Sequence, residues 1–290
     1  MTTRTSSPDQ VPAAELGSTG PASTLPASTD SASTDSASTE PALLIRGMTK
    51  RYGGNVAVHD AGLRVERGAF LGLVGPNGAG KTTLLSMATG LLRPDAGQSL
   101  VLGEDVWQPG SAERAKSLLG VQPQGLALPP RLTGRELLTY LGLLRSMPPA
   151  VVDERAGELL DVLDLSHAER TLIGDYSTGM RKKIELAAAL LHGPKLLVLD
   201  EPFEAVDPVS AAVVRAILDG FTGAGGSIVM SSHVMALVEQ LCDHVAVLDR
   251  GRVLRTGTLE QVRAGHTLEE AFAAIVGTRP PARGLSWFTS

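Results

Sequence analysis

The chain has 290 residues, 43% of them hydrophobic, which is ample apolar material for one large core or two lobes sharing one. No window approaches the roughly 18 to 20 consecutive apolar residues of a membrane-spanning helix, and the N-terminus lacks a basic-then-apolar secretory signal, so a soluble, cytoplasmic protein is expected. A net charge of −5 with mixed signs offers no broad basic face for duplex nucleic acid, and the single Cys242, set in an apolar stretch, reads as a buried structural thiol rather than half of a disulfide.

The first 40 residues contain no aromatic side chain and repeat AST at a five-residue step, in PASTL, PASTD, SASTD and SASTE. Such a segment buries too little apolar surface to offset chain entropy, and residues 1–40 are expected to be a disordered tail. The folded domain is expected over 41–277. Short β-rich runs follow at 42–48, 69–75, 98–102, 195–201, 227–233 and 244–249, and the last three have the continuous apolar character of strands covered on both faces. Helical segments separate most of these runs. The alternation predicts an α/β core with a mostly parallel sheet.

A helical insert is expected over about 125–190. Thr133 and Glu136 in TGRE form a capping box ahead of LLTYLGLLRS. A second helix carries Val152, Ala156, Leu159, Leu160 and Leu163 on one stripe, and Ser166 with Glu169 is expected to cap a third, short one. The stretch DYSTGMRKKIELAAALL at 175–191 reads as a helix stopped by Gly193-Pro194. Its first turn is read as holding Arg181, Lys182 and Lys183, against the positive end of the helix dipole, which calls for an anion. After residue 258, QVRAGHTLEEAFAAIVG reads as a terminal helical segment, and 278–290, with Trp287 and Phe288, as a loose tail.

The strand AFLGLV runs directly into GPNGAGKTT, residues Gly75, Pro76, Asn77, Gly78, Ala79, Gly80, Lys81, Thr82 and Thr83, which has the G-x-x-x-x-G-K-[ST] spacing. Glycines let backbone N–H groups turn inward around phosphate oxygens. The helix N-terminus adds positive potential, Lys81 supplies a mobile charge for the β and γ phosphates, and Thr82 is placed to hold Mg²⁺. In KLLVLDEP, Asp200 ends a strand where α/β sheets bind ligands and is expected to hold Mg²⁺ through water. Glu201, one residue on, is positioned to orient and deprotonate an attacking water. In YSTGM, the Ser177 hydroxyl, Gly179 and a helix N-terminus form the parts of a second phosphate site. One nucleotide already has its cradle, so this second site is expected to face another molecule's nucleotide.

With these motifs the chain resembles the ATPase subunits of ABC transporters, from about Ala42 to Gly277. The resemblance implies a P-loop NTPase (RecA-like) core with an N-terminal antiparallel β region and a helical insert subdomain. It also implies that two ATPase domains pack head to tail around two ATP molecules. YSTGM is similar to the LSGGQ-type signature, so Ser177, Thr178, Gly179 and Met180 would meet the nucleotide held by the partner's Walker A loop. By the same resemblance Tyr52 in KRYGG would stack on adenine, and Gln124 in VQPQG would touch Mg²⁺ or the water. Asp207 in EAVDP would lie at the dimer interface, and His233 in SSH would contact the γ-phosphate.

Four positions depart from the pattern: Thr178 replaces the first signature glycine, Phe203 stands where Thr is frequent, and Ala205-Val206 replace Gly-Leu. The signature Thr and the ending GTLEQV followed by TLEEAFAAIVG look like the ABC-2 export group. The implied function is an ATP-hydrolysing homodimer that drives a separately encoded membrane permease, peripheral on the inner face of the membrane and exporting a drug, antibiotic, lipid or similar compound. The rival readings are a soluble ATPase acting on a machine such as the ribosome, and an ATP-gated scaffold with little hydrolysis.

Overall fold

The computed structural model describes residues 40–277, so the expectations for the AST-rich tail before Glu40 and for Trp287 and Phe288 lie outside the described residues. β1 (Leu43–Tyr52) buries Leu43, Ile45 and Met48, and pairs antiparallel with β2 (Asn55–Val65), which buries Val58, Ala61, Leu63 and Val65. β3 (Phe70–Val74) is buried at every position, as a strand covered on both faces must be, and leads through a loop into α1 (Lys81–Ala88). β4 (Ala96–Val101) and β5 (Glu104–Asp105) complete an antiparallel sheet in the order β2-β1-β4-β5. α2 (Ala112–Ser117) then precedes β6 (Leu119–Gln122).

The stretch from Pro123 to Lys195 carries helices. α3 (Gly134–Leu144) starts with the expected capping box between Thr133 and Glu136, and α4 (Pro149–Val162) buries Val152, Ala156 and Leu160. Leu163, just past α4, is fully buried, and Leu159 is partly so. The expected cap at Ser166 is not formed. Ser166–Ala168 is a single 3₁₀ turn without a side-chain cap, because Glu169 is drawn 2.9 Å from the Arg135 guanidinium and the Ser166 hydroxyl turns to Asp161. A charge-assisted bond to arginine outweighs a neutral cap. α5 (Thr178–Leu190) follows, its N-cap Ser177 accepting from the Met180 amide at 3.2 Å, and Gly193 at φ 69° ends the segment.

β7 (Leu196–Asp200), α6 (Pro208–Gly223), β8 (Ser227–Ser232), α7 (Met235–Leu241), β9 (His244–Asp249) and β10 (Arg252–Thr258) complete the second sheet. Its order is β10-β9-β3-β8-β7-β6, parallel throughout except for the edge strand β10. The terminal segment is two helices, α8 (Leu259–Arg263) and α9 (Leu268–Val276), parted by Ala264 and Gly265, both at positive φ.

Alternation along the parallel strands builds a core on each face of this sheet. Phe70, Val74, Leu197, Leu199, Met230 and Val247 pack against α5, α6 and α7. Leu71, Leu73, Leu196, Val198, Val229 and Leu248 pack against α1 and the antiparallel sheet. Cys242 lies in the first core at 5% exposure, where burial pushes its thiol pKa up and leaves it inert. Because β3, β6, β7 and β8 run parallel, their carboxyl ends share one edge, where such sheets bind ligands. No helix among the described residues is long and apolar enough to cross a membrane.

His192 couples the end of α5 to β6. Its Nε2 lies 3.1 Å from the Leu119 carbonyl, the geometry of a neutral ring donating there, and its Nδ1 is buried without a partner. Burial, with the nearby Arg145 charge, pushes its pKa down from 6.5 to about 4. As pH falls from the unfolded value toward the folded one, the unfolded chain binds a proton that the folded chain refuses, and stability is lost. A melting series between about pH 7 and about pH 4.5 is expected to fall less steeply for His192→Gln than for the wild type; parallel curves would rule this out.

Candidate active site

The loop from Gly75 to Gly80 joins β3 to α1 where close backbone approach leaves no room for side chains. A Cβ on Gly75 would collide with the Leu248 carbonyl oxygen. Gly80 takes φ 102°, and a Cβ there would lie 2.6 Å from the Ala57 oxygen. Gly80 gives α1 no side-chain cap and the first turn holds no acid, so its free N–H groups and positive end are open to an anion.

Lys81, only 7% exposed, turns back into the loop, donating to the Gly75 carbonyl at 2.8 Å and lying 3.6 Å from Glu201 Oε1. Glu201, also 7% exposed, takes φ 50° at the end of β7. This left-handed turn costs a non-glycine residue free energy and persists only where neighbours over-determine it. Here they do: the Glu201 amide donates to Ser231 Oγ at 2.9 Å, and its carbonyl accepts from Lys182 Nζ at 3.3 Å and from the Glu204 amide at 3.2 Å. Lys182 is steadied by the buried Glu185 at 3.9 Å, whose pKa burial pushes up, while Gln122 donates to the same carboxylate at 3.0 Å. The Glu201 carboxylate is thereby held between Lys81 and His233, whose Nδ1 lies 3.0 Å from Oε2.

A cavity of about 620 Å³ opens over this cluster, lined by Pro76 to Thr83 with Gln124, Glu201, Glu204, His233 and Arg250. It is large enough for a small-molecule ligand. Gln124, just past β6, accepts from Thr82 Oγ1 at 3.3 Å and donates to Glu204 at 3.0 Å. Among the described residues no three His, Cys, Asp or Glu side chains cluster to hold a metal by themselves. The oxygens of Thr82 and Gln124 suit a cation such as Mg²⁺, which keeps several waters and shares phosphate oxygens.

Several expected site residues lie elsewhere. Asp200, 3% exposed, does not line the cavity; it accepts from Ser231 Oγ at 2.5 Å and borders a narrow pocket with Val121 and Gln122. Tyr52 is 51% exposed under the Lys50 ammonium, and Asn55, Val56 and Ala57 of β2 line the cavity instead. Ser177, Thr178, Gly179 and Met180 stand apart from the cavity, at the start of α5. Asp207 caps α6, its Oδ1 accepting from the Val209 and Ser210 amides at 3.0 and 2.9 Å, and the bonds from Ser210 hold its carboxyl below the usual range. A Cβ on Gly179 would lie 2.9 Å from Asp207 Oδ2, so glycine lets the starts of α5 and α6 converge.

The cations of α5 lie past its first turn and have partners within the chain. With Ser177 as the cap, the first turn is the uncharged Thr178, Gly179 and Met180, and the cations follow one turn later. Arg181 donates to the Gly174 and Tyr176 carbonyls, Lys182 to that of Glu201, and Lys183 lies 3.8 Å from Asp164. Glu204, Arg250 and Ser231 are site residues that reading the sequence missed, and Lys182, read there as calling for an anion, instead holds the Glu201 carbonyl. The turn DRGR offers a local signal for Arg250 alone.

The family described as ABC transporter matches residues 58–204. The chain is 39% identical over 223 residues to the daunorubicin resistance ATP-binding protein DrrA3 of Streptomyces coeruleorubidus, covering 77% of this chain and 70% of that protein. It is 37% identical over 217 residues to the Nod factor export ATP-binding protein I of Ralstonia nicotianae, covering 75% and 67%. To the linearmycin resistance ATP-binding protein LnrL of Bacillus subtilis it is 34% identical over 216 residues, covering 74% and 69%. Among solved structures, an ATP-binding subunit of an ABC transporter superposes with a TM-score of 0.74 at 27% identity, covering 81% of this chain and 99% of that one. A dimeric ATP-binding cassette bound to ADP and phosphate superposes with a TM-score of 0.68 at 22% identity, covering 75% and 98%, a likeness of fold. The chain belongs to the ABC transporter family, as an ATP-binding subunit similar to those of drug- and antibiotic-resistance exporters.

Proposed function

We propose that this chain hydrolyses ATP as a homodimer that forms on ATP and drives a separately encoded membrane permease, exporting a drug, antibiotic, lipid or similar compound. The observation that carries the reading is the Glu201 carboxylate, buried between Lys81 and His233 beside the phosphate loop. Gly75 to Thr83 bind the phosphates through backbone N–H groups and Lys81. Tyr52 stacks on adenine. Thr82 and Gln124 would hold Mg²⁺, with Asp200 as a further ligand through water, and the ion would supply neutralisation of phosphate charge. Glu201 takes the proton of the attacking water, and His233 contacts the γ-phosphate.

Ser177, Thr178, Gly179 and Met180 meet the nucleotide bound by the other subunit, and Asp207 supports that interface. The dimeric cassette with ADP and phosphate supports this packing at the level of fold. The export reading draws on the names of the relatives from Streptomyces, Ralstonia and Bacillus. We assign 41–277 to the ATPase domain, about 125–190 to its helical insert, and 1–40 and 278–290 to tails. The groove near Gly125 to Glu136 receives a cytoplasmic helix of the permease, which places the protein on the inner face of the membrane, and closure of the dimer becomes mechanical work.

The test is a detergent capture of the Glu201→Gln protein with ATP, identifying by mass spectrometry what accompanies it in stoichiometric amount. A multispanning membrane protein is expected. Ribosomal proteins in its place would assign the chain to the cytoplasmic machine and overturn the transport reading.

A further inference from the structure

We propose that Glu204 is a positioning residue that fixes which end of the Gln124 amide faces Thr82. The inference rests on the reading that Thr82 and Gln124 hold the metal.

A glutamine amide is nearly symmetric in shape but not in chemistry, with an oxygen that accepts at one end and an amino group that donates at the other. Nothing in its shape sets the orientation; its partners do. Glu204 is an acceptor, so the end of Gln124 that meets it must be the amino group, and Nε2 donates to Glu204 Oε2 at 3.0 Å. Oε1 is thereby turned to Thr82 Oγ1, 3.3 Å away. An oxygen there is a ligand for a hard cation, whereas an amino group would repel it.

Two further features support the role. Glu204 lines the phosphate cavity, where a carboxylate opposes a polyphosphate unless it serves the cation side. Its backbone is also fixed to the catalytic turn, since its amide donates to the Glu201 carbonyl at 3.2 Å and the next residue, Ala205, takes φ 55°. The carboxylate that orients Gln124 is thus built on the same turn that presents Glu201.

The experiment reads binding rather than turnover. In a Glu201→Gln background, a fluorescent ATP analogue is titrated with Mg²⁺, and the Mg²⁺ concentration for half-maximal binding is compared among Glu204→Gln, Gln124→Ala and their combination. Glutamine at 204 both donates and accepts, so it no longer dictates the orientation. Glu204→Gln is expected to raise the Mg²⁺ requirement about tenfold, as losing a partner that orients a metal ligand does, while binding in excess chelator does not weaken, because a charge that opposes the phosphates is gone. The combined variant is expected to match Gln124→Ala alone, because Glu204 acts only through the amide. An unchanged requirement in Glu204→Gln, or additive effects in the combination, would overturn the inference. Mg²⁺-independent binding by the parent would instead overturn the metal reading beneath it.

Discussion

Glu201→Gln is expected to bind ATP as the wild type does, to turn it over about 10²- to 10⁴-fold more slowly, and to accumulate as a dimer in ATP. Glutamine keeps the size of the side chain and can turn its oxygen to Lys81 and its amino group to His233 Nδ1 as a neutral acceptor, so the pocket survives although the ion pair is lost. It cannot accept a proton from water. The backbone at 201 is held by Ser231, Lys182 and Glu204 whatever the side chain, so the change isolates the chemistry of one carboxylate. Single-turnover hydrolysis gives the rate, and sedimentation with and without ATP gives the dimer. A rate within a few fold of the wild type would show that the base lies elsewhere.

The second large effect is expected from Ser177→Arg. Ser177 caps α5 and does not line the cavity of its own chain, so ATP binding to the monomer is expected to persist while turnover falls about 10²-fold or more. Arginine places a long cation where the partner's phosphates would approach backbone N–H groups, and it removes the cap. The lost cap costs about 1 kcal/mol, a modest effect on folding that a melting curve separates from the loss of turnover. Equilibrium binding of a fluorescent nucleotide decides the matter: weakened binding to the monomer would place Ser177 in the chain's own site.

The parallel sheet was legible in the sequence because strands covered on both faces are buried at every position, as β3, β7 and β8 are, and so read as apolar runs rather than as alternation. The phosphate loop was legible because its whole pattern, from Gly75 to Thr82 between a strand and a helix, lies in one short stretch of chain. What escaped depends on distant partners. Arg181, Lys182 and Lys183 looked misplaced because their acceptors, on Gly174, Glu201 and Asp164, lie on other segments, and because fixing Ser177 as the cap moves them out of the first turn. Ser166 and Glu169 matched a capping pattern, but Arg135, 34 residues earlier in sequence, claims Glu169.

Glu204 meets Gln124 across 80 residues of sequence, a pairing no local pattern announces. The break between α8 and α9 was more accessible, since Gly265 marks it. Asp200 and Tyr52 stand outside the cavity lining of the single chain.

The central claim is that each ATP is shared, held by the Lys81 loop of one chain and met by the Ser177 turn of another. Mixing Lys81→Ala chains with Ser177→Arg chains tests it most directly, since each variant alone is expected to be inactive. In a mixed dimer one composite site lacks both groups and the other has both intact. Random pairing is then expected to restore up to roughly a quarter of the wild-type turnover, because about half the dimers are mixed and each holds one whole site. No restoration, with mixed dimers shown to form, would contradict the shared site and return hydrolysis to the motifs of a single chain.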